Sequence, residues 1–188
     1  MKTYFLPALK ITALTLVLFG VAYPLLIVGI AKIVAPNAGN GELVVVNGKT
    51  VGFKLIGQKF TSDKYFNGRP SAVDYNAAAT GGSNKGPDNP DYLAQVDQRL
   101  QEFLSKNPTA KKEDVPVDLI TASGGGLDPH ISQQAALVQV TRIAKARNIS
   151  EEQLTQLVQQ YTESPLMGIF GTPTVRVLSL NIALDTLK

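Results

Sequence analysis

Hydropathy divides this chain before any single residue is considered. Ile11 to Ala31, ITALTLVLFGVAYPLLIVGIA, runs 21 residues without a charge, bracketed by Lys10 and Lys32. At 1.5 Å per residue this makes roughly 31 Å of helix, about the thickness of a bilayer's hydrocarbon core. A cleaved signal peptide is the alternative, but its apolar region spans only about 7–15 residues. This run is longer, and no clear A-x-A site follows it. Residues 1–34 therefore read as a transmembrane anchor. Pro24 lies mid-span and predicts a kink, tolerable where neighbouring helices satisfy the freed carbonyl. Gly20 and Gly29 either permit close helix contact or are ordinary transmembrane composition.

From residue 35 onward the pattern changes. NAGNG, Asn37 to Gly41, reads as a short flexible linker. In ELVVVNGKTVGFKLIG two β-rich runs flank Asn47-Gly48, the signal of a type I′ hairpin turn. Phe60 to Pro90 is rich in Gly, Pro, Asn and Ser. A loop of that length in a small domain predicts a functional or tightly packed element. Three helices follow. Asn89 caps the first, with Pro90 at its first position and Leu93, Val96, Leu100, Phe103 and Leu104 as its apolar face. Ser132 caps the second, with Ala136, Leu137, Val140, Ile143 and Ala144 inward and Arg142, Lys145 and Arg147 on polar positions. Ser150 to Gln153 forms a capping box for the third, whose Leu154, Leu157, Val158 and Tyr161 face inward. Met167 to Thr172 is a Gly-punctuated loop. TVRVLSL, Thr174 to Leu180, predicts a strand, and NIALDTLK a closing helical turn. Residues 35–188 thus read as one α+β domain.

Charge narrows the function. Lys2, Lys10 and Lys32 precede Ala35 with no acid among them, and they account for the whole formal charge of +3. The domain is formally neutral, so the sequence pI near 9.1 reflects the anchor rather than a basic stripe for nucleic acid. The same lysines orient the span, placing the N-terminus in the cytoplasm and the domain outside. With no cysteine, disulfides, CxxC redox chemistry and thiolate metal sites are excluded.

Candidate chemistry is sparse. TASGGGLDPHIS, Thr121 to Ser132, holds three consecutive glycines and His130, the only histidine. Ser123, His130 and Asp128 could formally make a hydrolytic triad, but no G-x-S-x-G surrounds Ser123. A lone histidine is also a poor start for a zinc site. The stretch reads instead as a structural corner. Gly124 to Gly126 permit positive φ and a tight backbone, Asp128 before Pro129 turns the chain, and His130 orders the turn by hydrogen bonding; if Gly126 holds positive φ, a β-branched residue there is strained. Thr80, Gly81, Gly82, Ser83 and Asn84 suggest an anion nest, yet Lys85 is followed by Gly86, not Ser or Thr, so the P-loop pattern fails. In RPSAVDYN, Arg69 is expected to pair with a carboxylate and fix the loop.

Several stretches together resemble the KdpC family, the C subunit of the bacterial Kdp potassium-transporting ATPase. They are FNGRPSA (Phe66–Ala72), TGGSNKGP (Thr80–Pro87), VPVDLITASGGGLDPHIS (Val115–Ser132), AKARN (Ala144–Asn148) and VLSLNIALD (Val177–Asp185). The resemblance runs essentially the whole chain. Departures are small: the family often has Leu at Lys85, Ser at Gly125 and Pro at Gln133. The resemblance implies one span in the bacterial plasma membrane and an extracytoplasmic domain. It implies a complex with a channel-like potassium-binding subunit, a P-type ATPase subunit and a small membrane subunit. That complex handles ATP and potassium, while this chain is a non-catalytic subunit described as a catalytic chaperone that raises ATP affinity. Thr80 to Asn84 also resembles the signature loop of ABC transporters. Direct ATP contact conflicts with the expected topology, because ATP is cytoplasmic. Two readings outside this family are an anchored hydrolase using Ser123 and His130, and an anchored solute-binding module.

Overall fold

The apolar run is helical throughout. In the computed structural model, which describes residues 2–187, α1 (Lys2–Val17), a π turn (Leu18–Ala22) and α2 (Tyr23–Val34) follow one another without a break. The stretch Tyr4–Val34 is 31 residues long, apolar enough to cross a membrane, and its most apolar window is wholly unburied. Helix therefore extends beyond the uncharged run, and Lys10 lies inside it. The strain expected at Pro24 meets a change of winding. Tyr23 donates its N–H to the carbonyl of Leu18, five residues back. Proline cannot donate to the preceding turn and its ring crowds it, and the wider π turn takes up that misfit. Pro36–Gly39 is a tight 3₁₀ turn with Asn37 and Ala38 left-handed, where a flexible linker was expected.

The chain divides into two compact units, Met1–Leu43 and Val44–Lys188. The second is mixed α+β. β1 (Leu43–Val46) and β2 (Lys49–Phe53) pair as a two-stranded sheet. Asn47 (φ 51°) and Gly48 (φ 76°) are both left-handed, as a type I′ turn requires. α3 (Pro90–Lys106) is capped by the Asn89 side chain, which accepts from the Tyr92 N–H. Leu100 is buried on it, but Leu93 is exposed and off the inward face. The second sheet is antiparallel, in the order β3 (His130–Ser132), β5 (Thr174–Arg176), β4 (Thr162–Glu163). α4 (Gln133–Leu137) and α7 (Val177–Thr186) pack with it, α6 (Glu151–Gln160) packs on both of those helices, and α5 (Val140–Arg147) packs on α6. The core gathers Phe66, Ile131, Ile143, Leu154, Val158, Val175, Leu180 and Leu184.

Two expectations are corrected. The helix after Ser132 is two helices, α4 (Gln133–Leu137) and α5, broken at Val138-Gln139. The cause is Gln139. Its side-chain Nε2 donates to the Ala135 carbonyl, while its own backbone N–H goes to Ala136. The side chain thus takes the place of the helical bond. Arg142, expected on a polar face, is buried by this rearrangement. The second correction concerns TVRVLSL. Only Thr174–Arg176 is strand, and Val177 already begins α7. A helix buried nearly all round has no clear 3.6-residue stripe, so its β-branched start reads as strand.

Of the Gly- and Pro-rich loop, residues 76–80 and 83–88 are exposed, and the packed part is the stretch around the buried Phe66. Side-chain amides hold it where a strand ladder would otherwise serve. Asn181 accepts from the Phe66 N–H (2.9 Å) and donates to its carbonyl (3.0 Å). Gln139 makes the same paired contact with Asn67. This satisfies the backbone of a segment whose Phe66 ring lies in the core.

Candidate functional site

Asp128 is the centre of the polar cluster. Its Oδ1 accepts the His130 backbone N–H at 3.0 Å, closing an Asx turn across Pro129. The same oxygen lies 3.3 Å from His130 Nδ1. Oδ2 accepts from Arg69 at 3.1 Å. The His130 hydrogen bonds and the Arg69 guanidinium hold the Asp128 carboxyl below its usual range, against the opposing effect of burial. On the other side of the ring, Arg176 Nε donates to His130 Nε2 at 3.3 Å. A guanidinium only donates, so Nε2 accepts and the ring proton sits on Nδ1, toward Asp128. Arg176 also reaches Glu163 at 2.9 Å. The result is a polar chain in which the His130 ring joins two ion pairs, Arg69–Asp128 and Arg176–Glu163.

Secondary structure positions that polar chain. His130 and Arg176 are directly opposite in the β3–β5 pairing. Glu163 lies opposite Thr174, two residues before Arg176 along β5. Both ring nitrogens of His130 are engaged within it. Ser123 is buried, with its N–H on the Pro70 carbonyl, and it is not among the partners of His130. Nothing here arranges a nucleophile against a base.

The glycine corner packs on the candidate nest. Gly126 has φ +71°. A Cβ there would stand 2.6 Å from Val73 Cγ2 and 3.1 Å from the Gly81 carbonyl. Gly81 donates its N–H to Gly125 at 3.1 Å, and a Cβ on Gly82 would lie 2.9 Å from the Gly124 carbonyl. The Gly81 amide is therefore spent on the neighbouring loop rather than offered to an anion. Thr80, Ser83 and Asn84 are exposed, with Asn84 left-handed. Gly57 closes the corner from the other side. Its N–H meets the Leu127 carbonyl, and any Cβ would overlap the Asp128 carbonyl.

Arg69 meets Asp128, not the nearer-in-sequence Asp74, which pairs with Lys59 at 2.6 Å. Asp74 and Tyr75 are both left-handed, an unusual state for a tyrosine. Ser71 Oγ holds them by accepting from the Val73 and Tyr75 N–H groups. The Tyr75 hydroxyl donates to the Arg69 carbonyl. Burial, with the Asp128 charge second, pushes the Tyr75 pKa up to about 12.

Sequence reasoning missed a second polar centre. Arg142 donates to the Asn107, Gln139 and Asn67 side chains and to the Asp63 and Tyr65 carbonyls. Burial lowers its pKa. The Gln139–Arg142 spacing inside an apolar stripe was the available signal, a polar pair where period 3.6 puts the core. Gly20 and Gly29 sit in the other unit, and a Cβ at either would meet nothing within 4 Å. Pro24 opens α2.

Fold and site together define a class: a small α+β domain following one apolar helix, its polar clusters occupied by internal bonds. The comparisons make the class specific. The family model described as KdpC, K+-transporting ATPase, c chain, matches residues 5–186. A potassium-transporting ATPase KdpC subunit of Flavobacterium johnsoniae is 57% identical over 180 residues, covering 96% of each chain. The subunit of that name from Bacteroides fragilis is 49% identical over 190 residues, covering 100% of this chain and 99% of its own. One from Caldanaerobacter subterraneus subsp. tengcongensis is 46% identical over 176 residues, covering 94% and 91%. The chain belongs to the KdpC family, non-catalytic subunits of the K+-transporting ATPase complex.

Proposed function

We propose that this chain is an assembly scaffold of an ATP-driven potassium import complex. Its span packs against the channel-like subunit, with the N-terminus in the cytoplasm, and its domain stands outside the membrane over the mouth of the ion path. The partners are that channel-like subunit, the P-type ATPase subunit, the small membrane subunit and the surrounding bilayer. The observation that carries the reading is an apolar helix of 31 residues whose most apolar window is unburied among the described residues. Such a helix is stabilised by lipid or by other helices. Gly20 and Gly29, open on their outer sides, leave room for a neighbour.

In this proposal the chain holds neither ATP nor potassium itself. The nest at Thr80 to Asn84 is packed on Gly124 and Gly125 through Gly81 and Gly82. Any effect on ATP affinity then runs through the assembled complex, as a coupling between states.

The test uses the absence of native cysteine. Ser83→Cys, on the exposed loop, is treated with a membrane-impermeant maleimide in intact spheroplasts. Labelling is expected without lysis, together with co-purification of the wild-type chain with the three partner subunits. Labelling only after lysis would reverse the orientation, and a chain that purifies alone would end the scaffold reading.

A further inference from the structure

His130, the only histidine of the chain, joins two ion pairs carried by different elements. On one side its Nδ1 faces Asp128 Oδ1 at 3.3 Å, and Asp128 holds Arg69. On the other its Nε2 accepts from Arg176 Nε at 3.3 Å, and Arg176 holds Glu163 at 2.9 Å. Through these contacts the ring ties the long loop, which carries Arg69, to the edge strand β4, which carries Glu163. That edge is weak. β4 is two residues long and pairs with β5 alone among the described strands. It leads into the turn closed by Leu166 and Phe170.

We propose that His130 is an acid-sensitive switch: protonation of its ring opens the Arg176 side of this latch and loosens the β4 edge, while the Asp128 side stays closed. Donors and acceptors decide it. A neutral imidazole offers one acceptor nitrogen, an imidazolium offers none, and a guanidinium only donates. Once Nε2 carries a proton, it and Arg176 Nε are two donors of like charge facing one another at 3.3 Å. Asp128 has the opposite relation to the ring. It accepts from Nδ1 in either state and attracts the charged ring more strongly. Acid therefore draws the ring toward Asp128 and drives Arg176 away. Glu163 is half exposed and follows Arg176 toward water, and a two-residue ladder has little with which to resist. The other groups packed around the ring do not interrupt this. Asp118, on the 3₁₀ turn Val117–Leu119, spends its oxygens on the Ser132 N–H and hydroxyl. α4, packed on β3, carries no charged residue. Tyr75, raised to about 12, keeps its proton and its bond to the Arg69 carbonyl. Imidazole is the side chain that ordinarily changes charge between about pH 5 and 8. The switch goes beyond the scaffold reading and holds on either face of the membrane.

The test follows the full-length chain in detergent micelles by NMR, where a lone histidine gives a single imidazole signal. At about pH 8 the ring should show the Nδ1–H tautomer, with Nε2 unprotonated. Toward about pH 5 both nitrogens should become N–H, and the Arg176 Nε–H resonance should shift with the same midpoint. Over that step the amides of β4 and of the Leu166–Phe170 bridge should lose about tenfold in exchange protection, after correction for the intrinsic rate. His130→Gln keeps a neutral acceptor for Arg176 and does not titrate, so its β4 should hold its protection across the range. Glu163→Ala unlinks Arg176 from β4, so there the ring should titrate while β4 no longer follows it. The wild-type titration decides the matter even if either variant fails to fold. An Nε2–H tautomer at high pH, a ring still neutral at the acid end, or β4 protection that ignores the ring would each overturn the switch. So would an equal loss in His130→Gln. Orientation and co-purification do not enter these measurements, so the scaffold reading stands or falls separately.

Discussion

Arg142 sets its Nε 3.0 Å from Oδ1 of Asn107, binding α5 to the end of α3. Its other partners are also neutral oxygens, those of Asp63, Tyr65, Asn67 and Gln139. A buried cation can be tolerated without an ion pair when every donor is met. The arrangement makes Arg142 the fastener of the long loop. Replacing it by Met leaves several acceptors dry. Arg142→Met should therefore cost about 3–5 kcal/mol in urea unfolding of the full-length chain. Arg142→Lys keeps the charge but loses the planar fork, and about 2 kcal/mol is expected. A loss under about 1 kcal/mol for the Met variant would mean the network contributes little.

Three consecutive glycines are not equivalent. A Cβ at Gly124 or Gly125 would meet nothing within 4 Å, whereas one at Gly126 would strike Val73 at φ +71°. Gly124→Ala and Gly125→Ala should change stability by less than about 0.5 kcal/mol. Gly126→Ala should cost about 1–3 kcal/mol, through the left-handed backbone and the clash together. Equal effects at all three positions would contradict this account of the corner.

Asp128 gives the corner a pH dependence of known sign. Its folded pKa lies below the ordinary 3.8. A depressed carboxyl contributes stability above the unfolded pKa and loses it as pH falls through the folded one. The urea midpoint of wild type should therefore exceed that of Asp128→Asn by a constant amount at neutral pH. That gap should close only below about pH 3.8. A gap that stays unchanged in acid would show that the ionised carboxylate is not what stabilises the turn.

Tyr75 titrates in the opposite direction. Its phenol is raised from 10.0 to about 12, so its contribution is complete below pH 10 and is lost as pH climbs toward 12. The absorbance difference between wild type and Tyr75→Phe should show one phenol step near pH 12. The substitution also leaves the Arg69 carbonyl without its donor. A difference step near pH 10 instead would place the Tyr75 hydroxyl in water.

The parts of this fold that were readable from sequence are those governed by local chemistry. The Asn47-Gly48 turn, the Asn89 and Ser132 caps and the Ser150–Gln153 capping box follow from side chains a few residues apart. The turn at Asp128 belongs to the same kind, whereas which of Gly124 to Gly126 is left-handed depends on Val73 and Gly81 packed against it. What was not readable depends on partners distant in the chain. Gln139 breaks its helix while binding Asn67, 72 residues away. Arg142 is buried through contacts to Asp63 and Tyr65. The strand at Thr174 ends at Arg176 because the next partner in register is Pro129, whose carbonyl accepts the Val177 N–H but which has no N–H to return, and α7 begins there. Arg69 chose Asp128 over the nearer Asp74, a selection that sequence proximity reverses.

The span offers the last test, because it separates tethering from specific packing. Gly20 and Gly29 have open space where a side chain would go. Leucine at either position is therefore free of clashes within the chain, and α1 and α2 should remain helical. If a partner helix occupies that space, Gly20→Leu and Gly29→Leu should together lower recovery of the assembled complex about tenfold. Membrane insertion should be unchanged, since leucine only adds hydropathy. Residues 35–188 expressed without the span should fail to restore potassium import, because anchoring supplies their effective concentration at the complex. A generic apolar helix in place of residues 1–34 restores concentration but not the glycine surface, so partial assembly and slower transport are expected. Full transport from that swap would reduce the span to a tether. Full transport from the domain alone would detach its role from the membrane altogether.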